Sequence, residues 1–329
     1  MYLFPIVIFD IMFYNEYRGE AMNDFSKLIL EKYQVRKSRK QKDDFIRLLK
    51  ERYNTNIQIE ETGRLKTRNI VIGDLKKAKL VLSAHYDTPA QLPIPNIVMP
   101  KSILGNVLYF MAIMLLMIVL EAFFEVFVSL LIANEFIRFL LNFTFLFFII
   151  YLMLAGKANQ HNANDNTSGV ITLLEVYERL DDQQRNQVAF VFFDHEELGL
   201  VGSRQFAKSH KTELSGKPLM NFDCVASGDV IMLIVSRRLE EVHYQFLERS
   251  FQASKAKEVL VISDKGTYYP SDQMNFRTGI GVVALHRHRL FKYYLKDVHT
   301  NKDTKFDEEN VELLVEGVLR WIACYDVGF

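Results

Sequence analysis

The chain has 329 residues, in which 40 Lys and Arg balance 40 Asp and Glu. That length can bury a large core as one domain or two, and the neutral balance offers no field for a polyanion, so no nucleic-acid partner is expected. Two cysteines, Cys224 and Cys324, are too few for a disulfide framework and lack the paired spacing of a thiolate metal site, so both are expected as buried thiols in a reducing compartment.

Residues 1–14 are apolar around Asp10, with neither a basic leader nor a small-residue cleavage site. A secretory signal is therefore not expected, and the segment 1–21 is left without a role. Between 24 and 53, Phe25, Leu28, Ile29, Phe45, Leu48 and Leu49 recur at helical spacing among charges, which predicts two amphipathic helices. The basic run 36–42 between them reads as a solvated connection or helix face. Apolar runs at 57–59, 69–72 and 79–83 predict strands, the last leading into Ala84-His85-Tyr86-Asp87.

A proline-rich stretch, 89–100, leads into a segment of different composition. Residues 103–120 and 139–155 are charge-free apolar runs, each close to the minimum of about 17 residues for a helical span. A soluble lid or dimer interface would have to keep all that contiguous apolar surface out of water, so a transmembrane hairpin over 101–156 is the expectation. Two spans return the chain to one side of the bilayer. Lys101 and Lys157 flank the hairpin and its tip is mostly acidic, which places the remaining domain in the cytoplasm by the positive-inside rule. Glu121 and Glu125, one helical turn apart, either line a polar seam in the bilayer or mark the interfacial end of the first span, and the interfacial end is the expectation.

After the hairpin, Asn164-Asp165-Asn166-Thr167-Ser168-Gly169 precedes a helical pattern over 170–180 and supplies candidates for its N-cap. The run 188–193 is continuously apolar, as a strand buried on both faces requires, and runs straight into Asp194-His195-Glu196-Glu197 before a glycine-bearing turn. A helix at 204–209, a short strand ending at Asp223, strands at 230–235 and 259–262 about a helix at 239–251, a strand at 279–285 and a closing helix at 308–325 complete the pattern. Strands alternating with helices predict an α/β sheet covered on both faces.

His85 and Asp87, Asp165, Glu196 and Glu197, Asp223 and His299 all stand at strand ends, helix starts or loops. Imidazole and carboxylate donors without thiolate are the ligand types of a catalytic rather than a structural zinc site, and an anionic ligand shared by two divalent ions would hold them together. His85-Tyr86-Asp87, the 164–169 motif, Glu196-Glu197-Leu198-Gly199 with Gly202-Ser203, Asn221-Phe222-Asp223, and His299 before Asp303-Thr304 resemble, in order and identity, the M28 family of dinuclear zinc aminopeptidases. The resemblance implies a mixed, mainly parallel central sheet in a discontinuous peptidase domain, 22–100 and 157–329. The hairpin would then be an insertion between the first two motifs.

Carried over by position, the resemblance implies two zinc ions, one held by His85 and Asp223, the other by Glu197 and His299, with Asp165 bridging. It makes Glu196 the general base and Asp87 the residue that orients His85, and it implies peptide substrates cleaved at their amino terminus; the hairpin would anchor the enzyme in the bilayer. Two alternatives stand beside it: a catalytically silent membrane receptor or scaffold, and an enzyme acting on a non-peptide amide or cyclising glutaminyl substrates. His195 is expected to face away from the ligands, since adjacent strand residues alternate in direction. His286 and His288 lie in a basic run that would repel a cation and are given a surface role. Asp272 resembles part of a family motif, but Gln273 stands where family members often carry histidine.

Overall fold

The computed structural model describes residues 22–239 and 241–326; the apolar segment 1–21 lies outside them. Helices α1 (Asp24–Lys32) and α2 (Arg39–Tyr53) form as expected. Asn23 caps α1 by accepting the Ser26 N–H, and Ser38 and Gln41 form a reciprocal capping box at the start of α2. The basic run between them differs from its expectation. Ser38, Arg39 and Lys40 are exposed, but Arg36 and Lys42 are buried. The α2 spacing explains Lys42, which shares one helix face with the buried Phe45, Ile46 and Leu49.

Nine strands form one mixed sheet: β1 (Ile57–Thr62), β2 (Thr67–Ile72), β3 (Leu80–His85), β4 (Val188–Phe193), β5 (Leu219–Phe222), β6 (Val230–Val235), β7 (Glu258–Ser263), β8 (Gly279–His288) and β9 (Lys292–Tyr294). Their order is β1-β2-β4-β3-β5-β8-β6-β7, with β9 paired to the end of β8. The central strands β4, β3, β5 and β8 are parallel, while β2 and β6 join this block antiparallel on its two sides. Register sets His85 opposite Phe193 and Ser83 opposite Asn221, so β3, β4 and β5 deliver their carboxyl ends to one edge. Strand β8 runs three residues beyond its predicted end because 286–288 pair only with β9, leaving His288 and Arg287 in water.

β4 shows why its sequence is apolar throughout. Phe190 and Phe192 enter the large core with Ile29, Phe45, Leu49 and Trp321, whereas Val191 and Phe193 enter the opposite layer with Phe206. Helices α5 (Gly169–Arg179), α7 (Glu241–Ser250) and α8 (Glu308–Asp326) cover the first face with α1, and α6 (Val201–Ser209) covers the second. Each fully buried phenylalanine contributes roughly 2–3 kcal/mol by transfer from water.

The inserted segment forms α3 (Ile103–Leu131) and α4 (Glu135–Ala155). Both are long and apolar enough to cross a membrane, and 6% and 0% of their most apolar windows are buried, unlike the core helix of a soluble domain. Because α3 continues to Leu131, Glu121 and Glu125 lie within it rather than at an interfacial end. Glu125 faces α4, where the Asn142 amide donates to it and the Arg138 guanidinium lies 3.6 Å away. At the root of the insertion the chain pairs with itself, Gln91 donating to Lys157 O and Asn159 to Pro89 O, at 2.8 and 3.1 Å.

Candidate metal centre

Three elements and two loops converge at the carboxyl edge of the sheet. His85 is the last residue of β3 and is 1% exposed. Its Nε2 lies 3.3 Å from Asp165 Oδ1 and 3.5 Å from Asp223 Oδ1. Across the same carboxylate, His299 Nε2 lies 3.1 Å from Asp165 Oδ2 and 3.2 Å from Glu197 Oε2. Asp165 therefore presents one oxygen to each histidine. Donors about 2.0–2.2 Å from a tetrahedral ion stand roughly 3.3–3.6 Å from one another, so these separations fit ligands around a small divalent cation.

Each donor is held from behind. Asp165 lies in the turn Ala163–Ser168, where it and Asn166 depart from helical φ/ψ, and the Asp165–Asn166 peptide is cis. Asp303 accepts the N–H groups of Asn164 and Asp165, one on each oxygen, at 3.0 and 2.9 Å. Asn166 donates its amide to Phe222 O at 2.9 Å and accepts the Gly169 N–H, and so does the capping expected of this motif while tying the turn to the end of β5. Asp223 follows that strand, and its carbonyl accepts the buried Tyr269 hydroxyl.

Glu196 and Glu197 leave β4 through a tight turn in which Gly199 and Leu200 both donate to Glu196 O at 2.8 Å, with Gly199 at φ +93°. Asp87 has a role the motif alone does not reveal. Its carboxylate accepts the main-chain N–H groups of Glu196 and Glu197 at 3.0 and 3.3 Å. His85 Nδ1 lies 3.1 Å from the Asp87 main-chain oxygen and 3.7 Å from its carboxylate, so the carbonyl is the nearer acceptor fixing the imidazole.

Burial places these carboxylates under electrostatic stress. It pushes Glu196 and Glu197 well above the usual carboxylate range; neighbouring Glu197, Asp272 and Asp223 add to this at Glu196, against His85. Asp165 moves the other way despite burial, because His299 and His85 hold its ionised form. Glu197 Oε1 is buried without a hydrogen-bond partner. Donor atoms of His85, Asp165 and Asp223, of Asp165, Glu197 and His299, and of His85, Glu196 and Glu197 form three groups, each within 4.8 Å. An unpartnered buried carboxylate among so many others fits a centre completed by cations.

All seven sequence-predicted site residues thus meet in one place. His195 does not join them: its Nδ1 lies 3.0 Å from Thr67 Oγ1. His286 and His288 sit on the β8–β9 hairpin, outside the three donor groups. Sequence reasoning missed Arg36, whose buried guanidinium donates to Tyr86 O, Tyr33 O and Thr167 Oγ1, linking the residue between His85 and Asp87 to the Asp165 turn. Burial lowers its pKa to about 10 against the pull of Asp87 and Asp165. It also missed Lys42, which is ion-paired in the interior with Asp194, two residues before Glu196. The helical spacing of Lys42 with Phe45, Ile46 and Leu49 is the signal that could have found it; Arg36, in a loop, carries none.

A mixed α/β sheet with imidazole and carboxylate donors at its carboxyl edge defines the architecture of a metallohydrolase. Residues 153–316 match the model of peptidase family M28, and this part of the chain is an M28 peptidase domain. The matched span contains Asp165, Glu196, Glu197, Asp223 and His299; His85 and Asp87 precede it, beyond the insertion. No curated protein matches the chain. Among solved structures, a Zn-dependent exopeptidase from Parabacteroides distasonis is 14% identical with a TM-score of 0.56, the match covering 92% of this chain and 99% of that one. Porphyromonas gingivalis glutaminyl cyclase is 14% identical with a TM-score of 0.54, covering 93% and 100%. The LapA aminopeptidase of Legionella pneumophila is 12% identical with a TM-score of 0.51, covering 91% and 67%. At these identities the likeness is one of fold.

Proposed function

We infer that the protein is a dinuclear zinc aminopeptidase held at a membrane by α3 and α4. The observation that carries the reading is the division of Asp165, one oxygen facing His85 and the other His299. His85 and Asp223 would hold one zinc ion, Glu197 and His299 the second, with Asp165 shared. When bound, the ions supply Lewis acidity toward a carbonyl and lower the pKa of water. Glu196 is the general base: it takes a proton from the attacking water and returns it to the leaving amine. A carboxylate beside the ions but outside their ligand set can take up and release that proton without losing the metal. Asp87 holds the Glu196 and Glu197 backbone and, through its own carbonyl, the His85 ring.

The exposed apolar faces of α3 and α4 support a transmembrane hairpin, with Lys101 and Lys157 at its root and the catalytic domain on the cytoplasmic side. The domain is accordingly discontinuous, 22–100 and 157–329, with 101–156 inserted.

The deciding experiment is metal analysis of purified protein alongside assays on aminoacyl amides, peptides and glutaminyl peptides. Two zinc equivalents, loss of turnover on chelation and release of the amino-terminal residue are expected. Cyclisation of glutaminyl peptides without hydrolysis would replace the aminopeptidase reading, and full activity in metal-free protein would remove the mechanism. Glu196→Gln is expected to keep both metals while losing about 10²–10⁴-fold in kcat; an unchanged rate would exclude Glu196 as base.

A further inference from the structure

The β8–β9 hairpin is not part of the metal centre. Its tip exposes Arg287, His288, Arg289 and Lys292, and Leu290 between them is 78% exposed. Arg287 pairs with Glu258, whereas Arg289 and Lys292 make no ion pair among the described residues. Behind the tip, His288 stacks on Phe291 with centroids 4.7 Å apart and meets Tyr294 edge-on at 5.6 Å. Phe291 in turn packs against the first turn of α3, where a β-carbon built on Gly105 would lie 2.9 Å from its Cδ1. A second loop flanks the same turn: Tyr268 donates its N–H to Pro100 O at 2.9 Å, and Lys101 Nζ lies 3.0 Å from Thr267 Oγ1.

Helix length sets the level of this assembly. The Tyr109 hydroxyl reaches back to Pro95 O, so α3 stays beside the domain through that residue. The remainder, 110–131, rises about 33 Å and α4 about 31 Å at 1.5 Å per residue, each close to the hydrocarbon thickness of about 30 Å. With α3 and α4 spanning, Tyr109 marks the edge of the hydrocarbon, and the β8–β9 tip falls in the headgroup layer beside it. Exposed cations interleaved with Leu290 and aromatic rings suit that layer, where rings bury their apolar bodies and cations meet phosphate.

We propose that the β8–β9 hairpin is an interfacial finger that sets Leu290 into the bilayer surface and binds anionic phospholipid headgroups through Arg287, Arg289 and Lys292. The proposal rests on the reading of α3 and α4 as a spanning hairpin. The finger also connects to the metal centre: Leu295 donates to Val98 O, Asn96 to Val298 O and Leu92 to His299 O, at 2.8, 3.2 and 2.7 Å. Headgroup contact would thus fix the orientation of the domain over the membrane.

The test uses the full chain in nanodiscs of phosphatidylcholine, with and without phosphatidylserine. In a C324S background, a fluorophore is placed on L290C or, as a control within α4, on F147C, and quenching is read from lipids carrying a nitroxide at the headgroup or mid-chain. The F147C label is expected to be quenched from mid-chain, and the L290C label from the headgroup, more strongly when phosphatidylserine is present. R287Q/R289Q/K292Q should return the L290C signal to its neutral-lipid level while cleavage of a short soluble peptide is unchanged. An unquenched F147C label overturns the spanning hairpin, and the finger with it. Quenched F147C beside unquenched L290C overturns the finger alone, and equal L290C quenching in the two lipids overturns its anionic selectivity.

Discussion

At the scale of single residues, the centre depends on groups that never face the substrate. Arg36 binds two carbonyls and a hydroxyl from a fully buried position, so Arg36→Met would leave those acceptors unpaired and remove a cation near Asp87 and Asp165. We expect Arg36→Met to lose about 2–4 kcal/mol in denaturant unfolding and to bind zinc more weakly, with Arg36→Lys intermediate. Native stability in Arg36→Met would show that the guanidinium is dispensable. Asp303 makes a narrower case, since both its oxygens accept main-chain N–H groups at the Asp165 turn. Asp303→Asn places an amide NH₂ against one of those donors, and a cost of about 1–3 kcal/mol is expected by the same measurement. Burial and the neighbouring Asp165 push the Asp303 carboxyl up to about 8, and the two N–H groups pull against that rise.

Among the elements, the exit of β4 and the start of α6 must lie close together for Glu196 and Glu197 to reach the centre. Gly202 permits this: a β-carbon there would lie 2.1 Å from Asp194 O and 2.6 Å from Asn69 Oδ1. Backbone cannot yield as a flexible side chain can, so Gly202→Ala should cost about 1–3 kcal/mol or more by overpacking and displace both glutamates. Thermal unfolding together with zinc affinity checks this, and an alanine variant matching the parent in both would show that the turn relaxes freely. The buried Lys42–Asp194 pair sits at the same exit, and removing one partner would leave the other charge uncompensated.

For the whole molecule, His85 and Asp165 stand 80 residues apart in sequence across the insertion, while their side chains lie 3.3 Å apart in space. Its root is closed by main-chain bonds between 89–91 and 157–159, so the two ends of the peptidase fold already stand side by side without the hairpin. Replacing 101–156 with a short flexible linker is therefore expected to give a domain that stays in the supernatant without detergent and retains zinc. Detergent-free solubility of the intact chain would instead overturn the membrane reading, because α3 and α4 leave a contiguous apolar surface exposed.

The sequence by itself determined the order and type of the main elements, because period-2 and period-3.6 patterns and uninterrupted apolar runs report burial directly. The imidazole and carboxylate residues that the structure brings to one edge of the sheet could also be picked out from the sequence, because those side chains carry donor atoms that a catalytic divalent ion takes. The family resemblance implied how those donors divide, and the tertiary structure supplies the geometry of that division. The parallel register of β3, β4 and β5 and the fold of the 163–168 turn bring His85, Asp223, Glu197 and His299 to opposite oxygens of Asp165. It alone turned the basic 36–42 run into an internal brace, because the burial of Arg36 depends on carbonyls from distant segments. The sequence also could not say which oxygen of Asp87 meets His85, where the main-chain carbonyl at 3.1 Å is nearer than the carboxylate at 3.7 Å.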